Sequence, residues 1–483
     1  MAAPSISQDP GGTLAQPQPV LRQALGLLVL AGPLIANNLS IAGMGFADTV
    51  MAGRLGTADL AAVAVGSMIW MVTFLFGLGV LMAMSPTAAH SVGACRPEEV
   101  GRDARQCLWL SQVLAVIGIL ALRNAGPVLD RIGVDPEIIP LTVGYLDAIA
   151  WGLPGMYAYL SLRFMSEGVG WTRPIAYVAF VALIVNVAGN WLLMFGNLGF
   201  PRLGAVGCGA SSAISMWVMF AFMGVYVRRQ RRYRQYGFFG RFDWPDPVRI
   251  RALLSLGLPI AVSVMSEAGL FSAVGLLMGT LGATVVAAHQ IAMNYSAVMF
   301  MIPLAIHSAL TIKVGHCVGR GDLQMARRTG FIGIAICGGF MLVSAVFMLM
   351  FRETIAGFYS TDPDVRPLAA ALLTMSMIFQ VSDGLQVGAA GALRGYKDTR
   401  IPMLLNFGSY WGVAFPLAWY FGVYAERGPQ AVWIGLIVGL TLTAVTLNAR
   451  FARVSGQRLR ATPGETAGPA AGPAEPPRKT DAG

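Results

Sequence analysis

The sequence predicts an all-α polytopic membrane protein, with twelve transmembrane helices arranged as two pseudo-symmetric six-helix bundles. Three observations carry that expectation: a charge-poor composition, twelve separate apolar stretches, and an internal repeat at one fixed offset. Of 483 residues, 55% are hydrophobic and only 12% charged. A soluble chain of this size needs about twice that charge to cover its surface, whereas lipid solvates apolar side chains directly.

The apolar stretches run over residues 22–50, 57–84, 104–122, 139–165, 174–196, 205–227, 252–278, 285–311, 330–351, 367–393, 401–423 and 429–451. Each must be helical, because a segment in lipid has to satisfy its own backbone hydrogen bonds. The expected organisation is a flexible cytoplasmic tail over 1–21, an N-lobe over 22–227, a basic cytoplasmic linker over 228–251, a C-lobe over 252–453 and a disordered tail over 454–483. The last segment is rich in Pro, Ala, Gly and charge, a composition that builds no core. The five cysteines, Cys95, Cys107, Cys208, Cys317 and Cys337, show neither redox nor metal spacing and read as small packing residues.

The net charge of +10 is explained by its distribution. With a cytoplasmic N-terminus, 27 of the 34 Lys and Arg residues fall in inner segments, as the positive-inside rule requires. Both termini are then cytoplasmic. The run Arg228-Arg229-Gln230-Arg231-Arg232-Tyr233-Arg234 reads as a topology anchor facing anionic lipid, and no nucleic-acid partner is expected.

That run also divides the chain. An offset of 226 places Pro33 on Pro259, Arg54-Leu55-Gly56 on Thr280-Leu281-Gly282, and Ala61-Ala62 on Ala287-Ala288. The same offset places His90 on His316, Val92-Gly93 on Val318-Gly319, and Arg102 on Arg328. One residue more aligns Thr172-Arg173 with Thr399-Arg400. Both copies begin on the same side, so the repeat is parallel, about an axis along the membrane normal. Two such lobes enclose a central cleft, which is the geometry of alternating access.

Carboxylates within spans are expensive and mark function. Of the 24 acidic residues, Asp48, Asp147, Glu167, Glu267 and Asp383 lie in or at spans. Glu267 falls about 15 residues into the seventh span and Asp383 about as far into the tenth, with no Lys or Arg in either span's centre. They read either as a site for a proton, a sodium ion or a cationic substrate, or as acids kept neutral and hydrogen-bonded to a neighbouring helix. Asp48, in Gly45-Phe46-Ala47-Asp48-Thr49, sits toward the outer end of the first span, where a solvated helix-end carboxylate is the alternative. Asn186 and Asn190 share a helix face, lining a polar cavity or bonding a neighbouring helix. Glu167, in Ser166-Glu167-Gly168, reads as a structural ion pair or cap, and Asp147 as structural. The 25 methionines and ten tryptophans suit a promiscuous site for organic cations, and equally lipid packing and interfacial belts. None of the four histidines, His90, His289, His307 and His316, has metal-ligand spacing. The repeat-equivalent positions of His90 and His316, at the cytoplasmic ends of spans two and eight, point to scaffold.

With these residues placed, the chain resembles the multidrug and toxic compound extrusion (MATE) family, and its NorM-like bacterial branch in particular. The resemblance rests on Asp48-Thr49-Val50-Met51-Ala52-Gly53-Arg54-Leu55-Gly56, Ser166-Glu167-Gly168 and Leu203-Gly204-Ala205-Val206-Gly207-Cys208-Gly209 in the first half. In the second half it rests on Met278-Gly279-Thr280-Leu281-Gly282, Ala287-Ala288-His289-Gln290-Ile291-Ala292 and Ala392-Leu393-Arg394-Gly395-Tyr396-Lys397-Asp398-Thr399. It implies the MATE fold and a secondary active antiporter in the bacterial inner membrane, exporting organic cations against an inward flow of Na+ or H+. It further implies cation coupling at Glu267 and Asp383, which would ligate Na+ in a sodium-coupled member. Asp48, Asn186 and Asn190 match the N-lobe polar cluster, and Tyr295 matches a tyrosine near substrate in relatives. Phe379, four residues before Asp383, stands where NorM-like members often carry a tyrosine, which leaves the ion open. No cofactor is expected beyond the transported ion, and the chain is expected to be a monomer.

The alternative within transport is a flippase or exporter of lipid-linked saccharides or metabolites, which shares the architecture. Such cavities need several cations to hold pyrophosphate, whereas the intramembrane charges here are acidic. An enzyme is not expected, since the sequence carries no Asp-rich metal motif, Ser/His pair or His-Glu-x-x-His helix.

Overall fold

A computed structural model describes residues 19–461; the tail expectations for 1–18 and 462–483 lie outside the described residues. Among these, twelve helical spans follow one another. Spans 1 to 6 are Val20–Leu55, Thr57–Gly93, Pro97–Arg123, Ile139–Gly168 in two pieces, Arg173–Leu193 and Ala205–Arg229. Spans 7 to 10 are Pro247–Gly279, Ala283–Gly319, Leu323–Tyr359 and Val365–Gly395. Span 11 covers Arg400–Tyr424 in four pieces, and span 12 is Pro429–Ala461. They make an all-α, multi-pass membrane protein of two pseudo-symmetric six-helix bundles. Between 22% and 56% of the most apolar stretch of the ten long spans is buried, so much apolar surface faces outward, as lipid demands.

Proline sets the interruptions. Pro86 cannot donate to the Met82 carbonyl, and span 2 breaks at Met82-Ala83, dividing Thr57–Leu81 from Met84–Gly93. Pro154 likewise leaves the Ala150 carbonyl without its donor, so span 4 divides into Ile139–Ala150 and Leu153–Gly168. Around Pro416, span 11 widens into π-helical turns over Gly408–Ala414 and Tyr420–Tyr424. The last helix continues past residue 453, where a tail was expected to begin. Phe451, Val454 and Ser455 are buried there, and a packed face keeps a helix going.

The packing interleaves the halves. One buried cluster joins Ala52 at the end of span 1 and spans 2 to 6 with Leu253 and Ala261 from the N-terminal part of span 7. A second gathers the outer parts of spans 7 to 12, from Leu270 to Leu440. A third sets Leu27, Ala31 and Leu34 of span 1 against spans 8, 9, 10 and 12. The N-terminal parts of spans 1 and 7 are thus exchanged between halves. Glycine permits this at the span 2–span 7 crossing: a Cβ on Gly79 would lie 2.4 Å from Ala261 Cα, and one on Gly257 2.2 Å from the Val80 carbonyl oxygen. The offset-226 counterparts of Gly79 and Gly257, Ala305 and Ala31, meet in the third cluster.

Gly257→Val is therefore expected to destabilise the protein by ~1–3 kcal/mol through overpacking against the Val80 backbone. Gly275→Ala, on the same helix with open space around it, should not lower the melting temperature. Equal melting temperatures in detergent for the two variants would contradict a backbone-to-backbone crossing.

Candidate functional site

Glu267 on span 7 and Asp383 on span 10 come together inside the second half. Asp383 is 4% exposed and its Oδ1 has no hydrogen-bond partner, while Glu267 is half-buried. The two carboxyl groups are electrostatic neighbours, and the Tyr410 hydroxyl of span 11 lies close enough to feel both. Among the described residues neither carboxylate joins an ion pair. The cation that acts on Glu267 is Arg394, at the inner end of span 10.

The elements around this pair supply donors and acceptors. Gln386 lies three residues after Asp383, on the same helix face, and donates Nε2–H to Tyr410 Oη at 2.5 Å. Ser296 Oγ of span 8 and Ser376 Oγ of span 10 are 2.7 Å apart, tying those spans together. Several buried polar atoms here have no partner within the protein: Gln380 Nε2, Gln386 Oε1, Asn406 Oδ1, Tyr295 Oη, His289 Nδ1 and Trp433 Nε1. A buried polar atom without a partner costs about 1–3 kcal/mol, so such a concentration is not ordinary core. Carboxylate, amide and hydroxyl oxygens form a hard donor set, which suits a proton or an alkali cation and not a soft transition metal. Consistently, no group of three or more His, Cys, Asp or Glu residues converges on a metal position among the described residues.

Phe379 is 3% exposed and packs edge-on to Phe271 at 5.8 Å and Trp433 at 5.9 Å, and Trp433 meets His289 at 5.6 Å. Phe271 lies one turn after Glu267, and Phe379 one turn before Asp383. Each carboxylate therefore shares its helix face with an aromatic ring. Tyr295, 8% exposed, belongs to the same buried cluster. Tyr410 and Gln386 escaped the sequence reading. Span 11 carries no charge within its apolar stretch to draw the eye, although Gln386 could have been found from its spacing to Asp383.

The first half holds a second cluster. Asn190 Nδ2 donates to Asp48 Oδ1 at 2.5 Å, and Ser212 Oγ to Asp48 Oδ2 at 3.5 Å. Asn186 Nδ2 reaches Ser212 Oγ at 3.3 Å, Asn190 Nδ2 reaches Asn186 Oδ1 at 3.5 Å, and Asn190 Oδ1 has no partner. The three residues singled out in the sequence are thus contiguous, with Ser212, Cys208 and Tyr145 added around them. Glu167 accepts from Arg163 at 2.8 Å in a buried pair one helical turn apart, whereas Asp147 meets Arg123 only at 3.9 Å near the surface.

Comparison with known proteins fits this geometry. The MatE family profile matches residues 33–192 and 259–420, two blocks that start at the repeat-related prolines Pro33 and Pro259. The probable multidrug resistance protein NorM of Xanthomonas axonopodis pv. citri is 41% identical over 437 residues, covering 90% of this chain and 95% of that protein. The multidrug resistance protein PmpM of Pseudomonas aeruginosa is 41% identical over 439 residues, covering 90% and 92%. Among solved structures, the eukaryotic MATE transporter AtDTX14 superposes with a TM-score of 0.82 at 20% identity, covering 91% of this chain and 99% of that one. An outward-facing multidrug resistance MATE transporter superposes with a TM-score of 0.83 at 19% identity, covering 91% and 98%.

The Asp48 cluster makes a quantitative expectation. In a double-mutant cycle on melting stability, Asn190→Ala and Asp48→Ala should couple by about 1.5–3 kcal/mol, the range for a hydrogen bond to a charged group. Additive effects would show that Asn190 does not hold Asp48.

Proposed function

This chain belongs to the multidrug and toxic compound extrusion (MATE) family of transporters, and from that premise we propose that it is a secondary active efflux antiporter. It exports cationic and amphipathic organic compounds in exchange for Na+ or H+. One observation carries the reading: two carboxylates, half-buried Glu267 and buried Asp383, share a polar cluster without an ion-pair partner among the described residues. Multidrug resistance is the role that relatives at 41% identity are named for, and it supports the substrate class.

The chemistry follows from the cost of burying charge. Two carboxylates near one another in a desolvated site repel, and each loses hydration. A proton on either group, or a sodium ion taken as co-substrate, removes that penalty. An organic cation relieves it in the same way, and the half-buried Phe271 ring, backed by Phe379 and Trp433, offers apolar area to the rest of such a molecule. Inward-moving ion and outward-moving drug therefore compete for one pair of charges, and that competition couples their movements. Tyr410, held by Gln386, and the free hydroxyl of Tyr295 supply polar contacts to whichever occupant is present. Asp48, with Asn186 and Asn190, gives the first half a polar surface of its own, in support of the C-terminal pair.

In this reading the protein lies in the bacterial inner membrane with both termini in the cytoplasm, an orientation supported by the placement of 27 of its 34 Lys and Arg residues. It works as a monomer, performs no catalytic conversion and needs no cofactor.

In reconstituted vesicles, Glu267→Gln and Asp383→Asn should each cut gradient-driven ethidium export at least tenfold, which corresponds to ~1.4 kcal/mol. Imposing a sodium gradient and a proton gradient separately identifies the driving ion. Undiminished export by either amide variant at equal protein amounts would refute coupling through this pair.

A further inference from the structure

At the inner end of the molecule the two halves exchange one hydrogen bond in each direction. His90, near the end of span 2, reaches across to the carbonyl oxygen of Gly395, the last residue of span 10, with Nε2···O of 2.7 Å. His316, near the end of span 8, reaches back to the carbonyl oxygen of Gly168, the last residue of span 4, also at 2.7 Å. A carbonyl oxygen only accepts, so Nε2 carries the proton in both imidazoles. His90 and His316 are repeat equivalents at offset 226, and Gly168 and Gly395 at offset 227. Donor and acceptor are therefore both duplicated, and each donor faces the other half's acceptor.

The surroundings repeat as well. A Cβ on Gly93 would lie 2.3 Å from the His316 carbonyl oxygen, and a Cβ on Gly319 2.3 Å from the His90 carbonyl oxygen. Spans 2 and 8 thus touch backbone to backbone beside the two imidazoles, in the paired sequences His90-Ser91-Val92-Gly93 and His316-Cys317-Val318-Gly319. Both acceptors sit at helix C-termini, where the last carbonyls have no donor within their own helix. Just inside, Glu167 and Arg394, again equivalent at offset 227, line one small cavity with Met82, Ser85 and His307.

We propose that His90 and His316 are the two latches of a cytoplasmic gate, each capping the terminal carbonyl of a helix in the opposite half, and that they release together when the transporter opens inward. The proposal rests on the alternating-access reading above. Bonds of this kind suit a gate. When the halves part, water satisfies both imidazole and carbonyl, so each bond shifts the open–closed balance by only about fivefold. Two together hold the gate by about twenty-five-fold, well within what the binding of an ion or drug can override. Their symmetry makes release cooperative, since moving the halves apart lengthens both bonds at once.

The test is hydrogen–deuterium exchange on the full-length protein in lipid nanodiscs. His90→Ala should speed exchange about fivefold around its own contact, residues 88–94 and 392–398. It should do the same around the other latch, residues 165–171 and 313–319, with the outer helix ends unchanged. His316→Ala should give the mirror result. His90→Gln and His316→Gln, whose amides place a donor near the Nε2 position, should restore most of the protection and report on the latch even if an alanine variant folds poorly. Faster exchange confined to the mutated side, or no rescue by glutamine, would overturn the paired gate. Because this readout needs neither substrate nor gradient, failure of the Glu267–Asp383 mechanism leaves it intact, and the two ideas fail separately.

Discussion

Everything in this molecule answers to the cost of leaving a polar group unsatisfied in lipid. Each backbone N–H and C=O must find its partner within the span that carries it, which makes twelve helices the only solution for twelve apolar stretches. The same cost decides where helices break. Pro86, Pro154 and Pro416 interrupt spans 2, 4 and 11, and a freed carbonyl there is tolerable only among neighbouring helices. Two of the breaks adjoin the polar sites. Met82 lines the small inner cavity, and Gly408–Ala414 carries Tyr410 beside the two carboxylates. A wide turn shifts the helix face by a fraction of a residue, which re-aims a side chain where a regular helix would not present it.

The twelve spans and the repeat were legible in the sequence because both are patterns of side-chain type along one dimension. The carboxylate pair was legible for the same reason: an acid in an apolar stretch is conspicuous, and Glu267 and Asp383 each lie about fifteen residues into a span. What could not be read were partners defined by backbone or by wide turns. Tyr410 looks like any aromatic in an apolar segment until the π-helical stretch places it. His90 and His316 stood out as a repeated residue, yet their acceptors are the main-chain oxygens of Gly395 and Gly168, and no residue letter announces a carbonyl. The exchange of the N-terminal parts of spans 1 and 7 was hidden too. Glycine at residue 79 or 257 is unremarkable in a membrane helix, and only the crossing shows why a side chain there would collide with Val80 or Ala261.

The duplication is uneven, and the unevenness has a physical logic. Offset 226 sets Ile41 opposite Glu267 and Val274 opposite Asp48, so these intramembrane carboxylates are not copied. Each additional intramembrane acid would add repulsion and desolvation. The scaffold elements, by contrast, are copied closely: the prolines of spans 1 and 7, the glycine or alanine crossings at 79 and 305, and the histidines at 90 and 316.

That division matches what each part must do. Under the proposed gate, a seal between two related lobes is best made twice, because two equal contacts on either side of the axis would share the load and lengthen together. A binding site needs no such symmetry, since the occupant it holds has none. Glu167 and Arg394 stand between these cases. They occupy equivalent positions beside the histidine contacts and line one cavity, yet they carry opposite charges and keep different company: Glu167 is bound to Arg163 within its own span, whereas the field of Arg394 reaches Glu267. The copied frame thus first becomes unlike itself beside the histidine contacts, where one half carries an acid and the other a base. Arg394 is also the residue immediately before Gly395, whose carbonyl oxygen accepts from His90, so the altered pair adjoins a copied contact.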